Sequence, residues 1–176
     1  MERELTPPAA GDVRVRDTRD DDMAAITAIY AHWVETGTAS FELEAPSQAE
    51  MRRRFAGYRE GGFPYLTAER QGEVIGYAYA GAYRPRPAYR FTAEDSIYLH
   101  PGATGHGAGR LLLAALLDRL RADGFRSVIA VIGDPGVNRA SVALHSAAGF
   151  APFGVARRIG FKFERWLNVA YMQLEF

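Results

Sequence analysis

The 176-residue chain contains no cysteine. This absence excludes a disulfide framework, a thiolate metal site and a cysteine nucleophile, and it fits a cytosolic protein. An excess of charge is also absent, because 21 basic residues balance 21 acidic ones. The balance gives no indication of a nucleic-acid partner or of a polybasic membrane anchor. Lysine is nearly absent, because the chain has 20 arginines and one lysine, Lys162. The use of lysine at this one position needs an explanation.

Long apolar runs are missing as well. The longest, Leu111–Leu117, is far too short to cross a bilayer. The charged, proline-containing N-terminus has no apolar core and is not a secretory signal. We therefore expect a cytoplasmic protein with a flexible tail over residues 1–12 and a single domain over residues 13–176. The spacing of His, Asp and Glu matches no metal-ligand pattern, so no metal is expected.

Hydrophobic spacing predicts elements in the order β-α-α-β-β-β-α-β-α-β-β. This order indicates a mixed α/β (α+β) domain, with helices covering a sheet that is antiparallel early and has one parallel step around the third helix. Ser47 is expected to cap the second helix, with Glu50 closing a capping box. Asn138 is expected to cap the last helix.

The segment from Glu94 to Leu117 carries the most information about function. A short apolar strand, Ile97-Tyr98-Leu99, leads into a loop with glycines at 105, 107 and 109 and then into an apolar helix. The unpaired N–H groups and dipole of a helix start attract anions, and glycines let a phosphate approach the backbone. The spacing matches neither G-x-G-x-x-G nor a Walker loop. We therefore expect Gly105–Arg110 to hold a phosphorylated cofactor.

Two segments resemble the GNAT acetyltransferase superfamily. Residues 104–109, Thr-Gly-His-Gly-Ala-Gly, resemble its pyrophosphate-binding motif, and residues 138–150, from Asn138 through His145 to Gly149-Phe150, resemble its downstream helix. Thr104 stands where the motif usually has Arg or Gln, which predicts weaker cofactor binding rather than none. The resemblance spans about residues 13–176 and implies the GNAT acyl-CoA N-acyltransferase fold.

Within that superfamily the chain is similar to the phosphinothricin and methionine sulfone (sulfoximine) N-acetyltransferases. The residues that carry this similarity are Glu35-Thr36, Phe41, Thr92-Ala93-Glu94, His145, Gly160-Phe161-Lys162 and Trp166. The resemblance implies direct transfer of the acetyl group of acetyl-CoA to the α-amine of a small amino acid or analogue. It also implies a homodimer whose Lys162 region reaches the neighbouring subunit's site.

The resemblance assigns roles to individual residues. Glu94 is the expected base, because an amine must lose a proton before it attacks a thioester, and Asp95 is a neighbour able to share that role. His145 is expected to assist proton transfer or departure of the thiolate. Residues expected to bind the cofactor are Ile97, Tyr98, Leu99, Gly105, His106, Gly107, Ala108, Gly109, Arg110 and Asn138.

A free amino acid brings a carboxylate, which needs cations or backbone donors to hold it. Residues expected to bind this substrate are Phe41, Arg84, Arg86, Glu94, Asp95, Ser96 and Lys162. Two alternatives stay open. One is a CoA-binding sensor without turnover, which Thr104 favours. The other is an acetyltransferase of protein N-termini or lysines, against which the bulky loop Tyr83–Phe91 argues.

Overall fold

The computed structural model describes residues 13–176, so the tail expected over residues 1–12 lies outside it. The helices are α1 (Met23–Thr36), α2 (Gln48–Glu60), α3 (Ala108–Ala122) and α4 (Arg139–Ala147). The strands are β1 (Val13–Asp17), β2 (Tyr65–Arg70), β3 (Glu73–Ala82), β4 (Thr92–Leu99), β5 (Ser127–Gly133), β6 (Ala151–Lys162) and β7 (Arg165–Glu175). This is the element order that the hydrophobic spacing predicts.

The seven strands form one sheet in the order β1-β2-β3-β4-β5-β7-β6. Neighbouring strands are antiparallel, except that β4 and β5 run parallel. A parallel pair needs a crossover connection, and α3 provides it. The predicted fold class, a mixed sheet flanked by helices, is confirmed.

Helices cover both faces of the sheet. On one face α1 and α2 pack against β2, β3 and β4 through a cluster rich in tyrosine. On the other face α3 packs its leucines against β1 to β4, and α4 lies beside it against β5. The apolar side chains of α3 that repeat every three or four residues are almost fully buried, namely Leu112, Leu113, Leu116 and Leu120. The two clusters hold the helices that border the candidate site against the sheet.

The helix starts differ from the sequence expectation in two places. Ser47 Oγ accepts a hydrogen bond from the N–H of Glu50 at 3.2 Å, as predicted for an N-cap. The Glu50 carboxylate, however, binds the guanidinium groups of Arg53 and Arg54 instead of closing a capping box. Asn138 stands at the N-cap of α4, but its side chain forms no cap bond and donates to the carbonyl of Gly133 at 2.6 Å.

None of the helices within residues 13–176 combines the length and the apolar character needed to cross a membrane. Over the same residues, no three His, Cys, Asp or Glu side chains gather in an arrangement able to hold a metal ion.

Candidate active site

The sheet separates into two parts along the β4–β5 pair. The parallel ladder runs from Thr92, opposite Ser127, to Asp95, opposite Ala130, and stops there. Beyond this point β4 stays paired with β3 as far as Leu99, while β5 stays paired with β7. The β5-facing edge of the last β4 residues is therefore left without a strand to pair with, and a crevice opens beside it.

The crevice has a volume of about 650 Å³. A second cavity of about 420 Å³ shares several of its walls and extends it along the open edge of β4 to Asp95 and His145. Such volumes are typical of sites for small molecules and cofactors. The crevice is lined by eight residues that the resemblance assigns to the cofactor: Ile97, Tyr98, Leu99, Gly105, Gly107, Gly109, Arg110 and Asn138.

The glycine loop forms one end of the crevice. Gly105 and Gly107 have φ of +79° and +86°, in the left-handed region that favours glycine, and Gly107 is the N-cap of α3. No side chain caps this helix start, so its first N–H groups remain available to an anion. The two other residues predicted from the motif do not line the crevice, because the side chain of His106 is exposed and that of Ala108 is buried in the core.

Thr104 lies at the edge of this loop and lines the crevice. Its hydroxyl donates to the carbonyl of Pro101 at 3.0 Å. The side chain that replaces the usual Arg or Gln is therefore used to hold the loop that precedes α3. The main-chain groups of the glycine loop remain for ligand binding.

Successive side chains of β4 point to opposite faces of the sheet. Ala93 and Ile97 belong to the leucine cluster beneath α3, whereas Tyr98 packs with the tyrosine cluster beneath α1. Asp95 therefore faces α3 and α4, where it meets His145, and Glu94 projects from the other face. The two adjacent acidic residues enter different surroundings.

Glu94 is half-buried, and its carboxylate forms no hydrogen bond with a protein group within residues 13–176. Burial raises the pKa of Glu94 above its usual value, the charge of Asp95 raises it further, and Arg84 opposes both. A carboxylate with a raised pKa is a stronger base when ionised. Glu94 lies next to Asp95 at the point where the strands part, beside the crevice rather than among its lining residues.

Asp95 and His145 form a buried pair on the other face. His145 Nε2 lies 2.9 Å from Asp95 Oδ2, and the two side chains are 3% and 1% exposed. His145 Nδ1 lies 2.7 Å from the carbonyl oxygen of Ser141, which only accepts, so Nδ1 carries a hydrogen. Burial lowers the pKa of His145, but the hydrogen bond and charge of Asp95 outweigh it and the net shift is upward. Asp95 Oδ1 is buried and has no hydrogen-bond partner in the part of the chain that the structure describes.

Two of the predicted substrate residues, Phe41 and Lys162, hold the α1–α2 loop against the sheet. The Phe41 ring lies against the backbone of Gly133 and Gly160, where any Cβ would collide with it. Lys162 is 4% exposed, and its ammonium donates to the carbonyl of Ser40 at 2.8 Å. Burial lowers the pKa of Lys162, while Glu42 acts to raise it. Neither Phe41 nor Lys162 is among the residues that line the two cavities.

The other predicted substrate residues lie on the Glu94 side of β4 or in the loop before it. The guanidinium of Arg84 lies 5.1 Å from the ring centre of Tyr83 and close enough to Glu94 to influence its pKa. Arg86 is exposed in the same loop. Ser96 lies opposite Tyr79 of β3 in the sheet and lines the smaller cavity.

The sequence reasoning missed two features of the site. Trp33 lines both cavities, and its Nε1 donates to the carbonyl of Leu99 at 2.7 Å, at the open end of β4. Thr38 donates to Asp134 at 2.9 Å and accepts from Asn138 Nδ2 at 3.3 Å, which ties the α1–α2 loop to the start of α4. In the sequence Trp33 only continues the apolar face of α1, and the partners of Thr38 lie about 100 residues away.

Comparison with known proteins agrees with this architecture. The model of the family described as "Acetyltransferase (GNAT) family" matches residues 26–150. The chain is 55% identical over 159 residues to the phosphinothricin N-acetyltransferase of Alcaligenes faecalis, with 90% of this chain and 80% of the relative covered. It is 38% identical to the L-methionine sulfoximine/L-methionine sulfone acetyltransferase of Salmonella typhimurium, with 88% of this chain and 89% of the relative covered.

A solved structure has the same fold. The GNAT superfamily phosphinothricin acetyltransferase from Sinorhizobium meliloti, in complex with AcCoA, superposes with a TM-score of 0.90. It is 48% identical, and the match covers 94% of this chain and 89% of that one. The resemblance read from the glycine loop and from the Asn138–Phe150 segment is confirmed. By sequence and by fold, the chain belongs to the acetyltransferase (GNAT) family.

Proposed function

We propose that the protein transfers the acetyl group of acetyl-CoA to the α-amine of a small amino acid or analogue, of the kind that phosphinothricin, methionine sulfoximine and methionine sulfone represent. One observation carries the proposal: two adjoining cavities run from a glycine-rich helix start to Asp95, next to Glu94, at the point where β4 and β5 separate. The names of the relatives support the substrate class.

The glycine loop and the open edge of β4 hold the donor. The segment Gly105–Arg110 binds the pyrophosphate, because the first residues of α3 offer unpaired N–H donors and a favourable dipole. Main-chain N–H groups on the open edge of Ile97–Leu99 hold the thioester arm and polarise its carbonyl as an oxyanion site does, while the Leu99 carbonyl accepts from Trp33. Asn138, fixed by Gly133 and Thr38, contacts the same arm from the other wall.

Glu94 removes a proton from the incoming ammonium group. An amine attacks only through a free electron pair, so this proton must leave before the carbon–nitrogen bond forms. The raised pKa of Glu94 and the absence of a protein partner for its carboxylate suit this role. The acetyl group passes directly to the amine, since the chain has no cysteine to carry it.

The substrate lies on the Glu94 side, where Arg84 and Arg86 supply positive charge for its carboxylate. Ser96 offers a hydroxyl on the same face. Phe41 and Lys162 shape this side from behind, because they fix the α1–α2 loop against β5 and β6. The protein's activity is expected in the cytoplasm, on a small molecule rather than on a nucleic acid or a membrane.

The C-terminal hairpin is the proposed surface of a homodimer. Strand β6 forms one edge of the sheet, and large apolar side chains of the hairpin are more than half exposed: Phe153, Val155, Ile159, Phe161, Phe163 and Trp166. Apolar patches of this kind are typical of protein interfaces.

Light scattering tests the homodimer. The wild type should have twice the chain mass, and Val155→Glu should lower this mass, whereas Leu111→Glu on α3 should not. A monomeric wild type would contradict the dimer.

The function is tested by release of free CoA from acetyl-CoA in the presence of single amines. The panel contains phosphinothricin, methionine sulfoximine, methionine sulfone, methionine and a peptide with a free N-terminus. We expect release with the small amino acids and none with the peptide. Binding of acetyl-CoA with no release from any amine would identify a sensor, and release with the peptide alone would identify a protein acetyltransferase.

A further inference from the structure

The buried pair on the α4 side of β4 leaves His145 with no free nitrogen. Its Nδ1–H donates to the Ser141 carbonyl, and its Nε2 faces Asp95 Oδ2. A histidine that transfers a proton to a ligand needs one ring nitrogen directed at that ligand. Here both are taken by protein groups, so His145 reaches a ligand only through Asp95.

Asp95 has the free atom that His145 lacks. Its side chain is 1% exposed, and Oδ1 is the buried side-chain oxygen within residues 13–176 that has no hydrogen-bond partner. Such an atom is costly to leave unpaired, which is why buried polar atoms are almost always satisfied. Asp95 is also the last β4 residue paired with β5, and it lines the cavity that continues the crevice. A hydrogen donor on a bound ligand would satisfy Oδ1.

Building on the proposed function, we propose that Asp95 is a second catalytic residue, which takes a proton from the attacking nitrogen through Oδ1 and gives it to the departing sulfur, and that His145 is the residue that positions it. Glu94 removes the first proton of the ammonium group on the opposite face. The nitrogen must lose a second proton once it is bonded to the acetyl carbon, and no other unpartnered buried oxygen is described along the crevice.

The proton balance closes on the groups present. As the second proton leaves, a nitrogen–hydrogen bond breaks and an Oδ1–hydrogen bond forms. As the carbon–sulfur bond breaks, the sulfur keeps the electron pair and takes this proton, so the thiol forms and Asp95 returns to the carboxylate. The Nε2–H of His145 holds Oδ2 throughout, which leaves Oδ1 as the oxygen that exchanges the proton.

Two variants separate this assignment from a direct role for His145. Asp95→Asn keeps the shape but removes the group that carries the proton, and kcat should fall about 100-fold, the usual scale of acid–base catalysis. His145→Gln retains an amide N–H that can donate to Asp95 Oδ2, so kcat should fall less than about tenfold. The affinity for acetyl-CoA, measured by calorimetry, should stay within about twofold in both. Asp118→Asn on the exposed face of α3 is the matched control and should leave kcat unchanged.

The structural pairing has its own readout. The chain has four histidines, so the titration of His145 can be followed by NMR. Its pKa should lie above the ordinary value in the wild type and fall in Asp95→Asn. A merely structural role for Asp95 would move stability and this pKa without a selective loss of kcat. Should Asp95→Asn fail to melt cooperatively, Asp95→Ser repeats the measurement.

Three results would overturn the assignment: near wild-type kcat in Asp95→Asn, a loss in His145→Gln as large as that in Asp95→Asn, or no fall of the His145 pKa when Asp95 is changed. The first two are measured on an enzyme that acetylates amines, so the proposed function survives them. Failure of the wild type to release CoA with any amine would instead remove the proposed function and, with it, this shuttle.

Discussion

The two faces of β4 place adjacent carboxyl side chains in opposite conditions. Glu94 stands half-buried on the α1–α2 face, with no protein partner and with Arg84 nearby. Asp95 is enclosed on the α3–α4 face and bonded to His145. Because a strand alternates its side chains, one step along the chain moves a carboxylate from an open environment to a closed one. Neighbours in sequence are therefore proposed to serve different chemical steps.

The largest expected loss of activity follows from removal of the Glu94 carboxylate. Glu94→Gln should lower kcat/KM for a small amino acid by about 100-fold or more at neutral pH, since the base is gone. Much of the loss should return at high pH, where the amine loses its proton unaided. The pH–rate profile checks this. Wild-type rates at neutral pH would move the base to Asp95. Asp95→Asn, which removes the acceptor of the second proton, should show no recovery at high pH.

The glycine loop is the proposed pyrophosphate site and lies apart from both carboxylates. Its alteration should therefore weaken cofactor binding without changing the pH–rate profile. Gly107→Ala places a Cβ on a residue with φ of +86°, which costs about 1–2 kcal/mol. We expect roughly tenfold weaker binding of acetyl-CoA in calorimetry, because the first amides of α3 shift. Gly57→Ala, in α2 with open space around its Cβ position, is the control and should keep the affinity. Equal affinity in both variants would contradict a pyrophosphate site at this helix start.

The positive charge of Arg84 acts on the carboxylate of Glu94. It lowers the pKa of Glu94, so Arg84→Gln should raise that pKa further. Because the base acts only when ionised, the acid limb of kcat/KM should move to higher pH. The variant also loses a cation proposed to hold the substrate carboxylate, which lowers kcat/KM at every pH, so the position of the limb is the readout. Arg52→Gln, on the exposed face of α2, should leave the limb in place. A shift to lower pH would contradict the proximity of Arg84 to Glu94.

The smallest expected effect is a change in the free energy of unfolding, and it tests only the Asp95–His145 pair. The folded-state pKa of His145 is raised above 6.5, so its pairing with Asp95 stabilises the fold fully below pH 6.5, and this is lost as pH rises through the raised pKa. His145→Gln should therefore lower the free energy of unfolding by about 1–2 kcal/mol at pH 5.5 and by less at pH 9. Glu94→Gln should not lower it at either pH, because a raised pKa means that the ionised Glu94 carboxylate costs stability in the folded state. Denaturant unfolding measures both, and a pH-independent loss in His145→Gln would contradict the ion pair.

Much of the architecture followed from local patterns. A glycine lies within two residues of the end of each helix, and the buried leucines of α3 repeat at helical spacing, so the element order and the glycine loop were predictable. The capping box failed because Arg53 and Arg54 compete for the Glu50 carboxylate. Asn138 failed as a cap because the Gly133 carbonyl lies within reach of its side chain.

The pairings that define the site were not predictable in this way. Asp95 and His145 are 50 residues apart and meet only because α4 packs beside the strand junction. Lys162 attracted attention as the lone lysine, but its partner is a main-chain carbonyl, which no residue pattern reveals. Local propensity locates elements, whereas contacts between distant groups depend on packing.

The Phe41 ring fills the place of two missing side chains, those of Gly133 and Gly160. These three positions therefore form one steric unit drawn from a loop and two strands. A homologue with alanine at either glycine is expected to carry a smaller side chain at the position of Phe41, and a change at one position alone would push the loop away from the sheet. Because Phe41 is a proposed substrate residue and Gly160 belongs to the C-terminal hairpin, we expect the range of substrates to change together with the sequence of the hairpin.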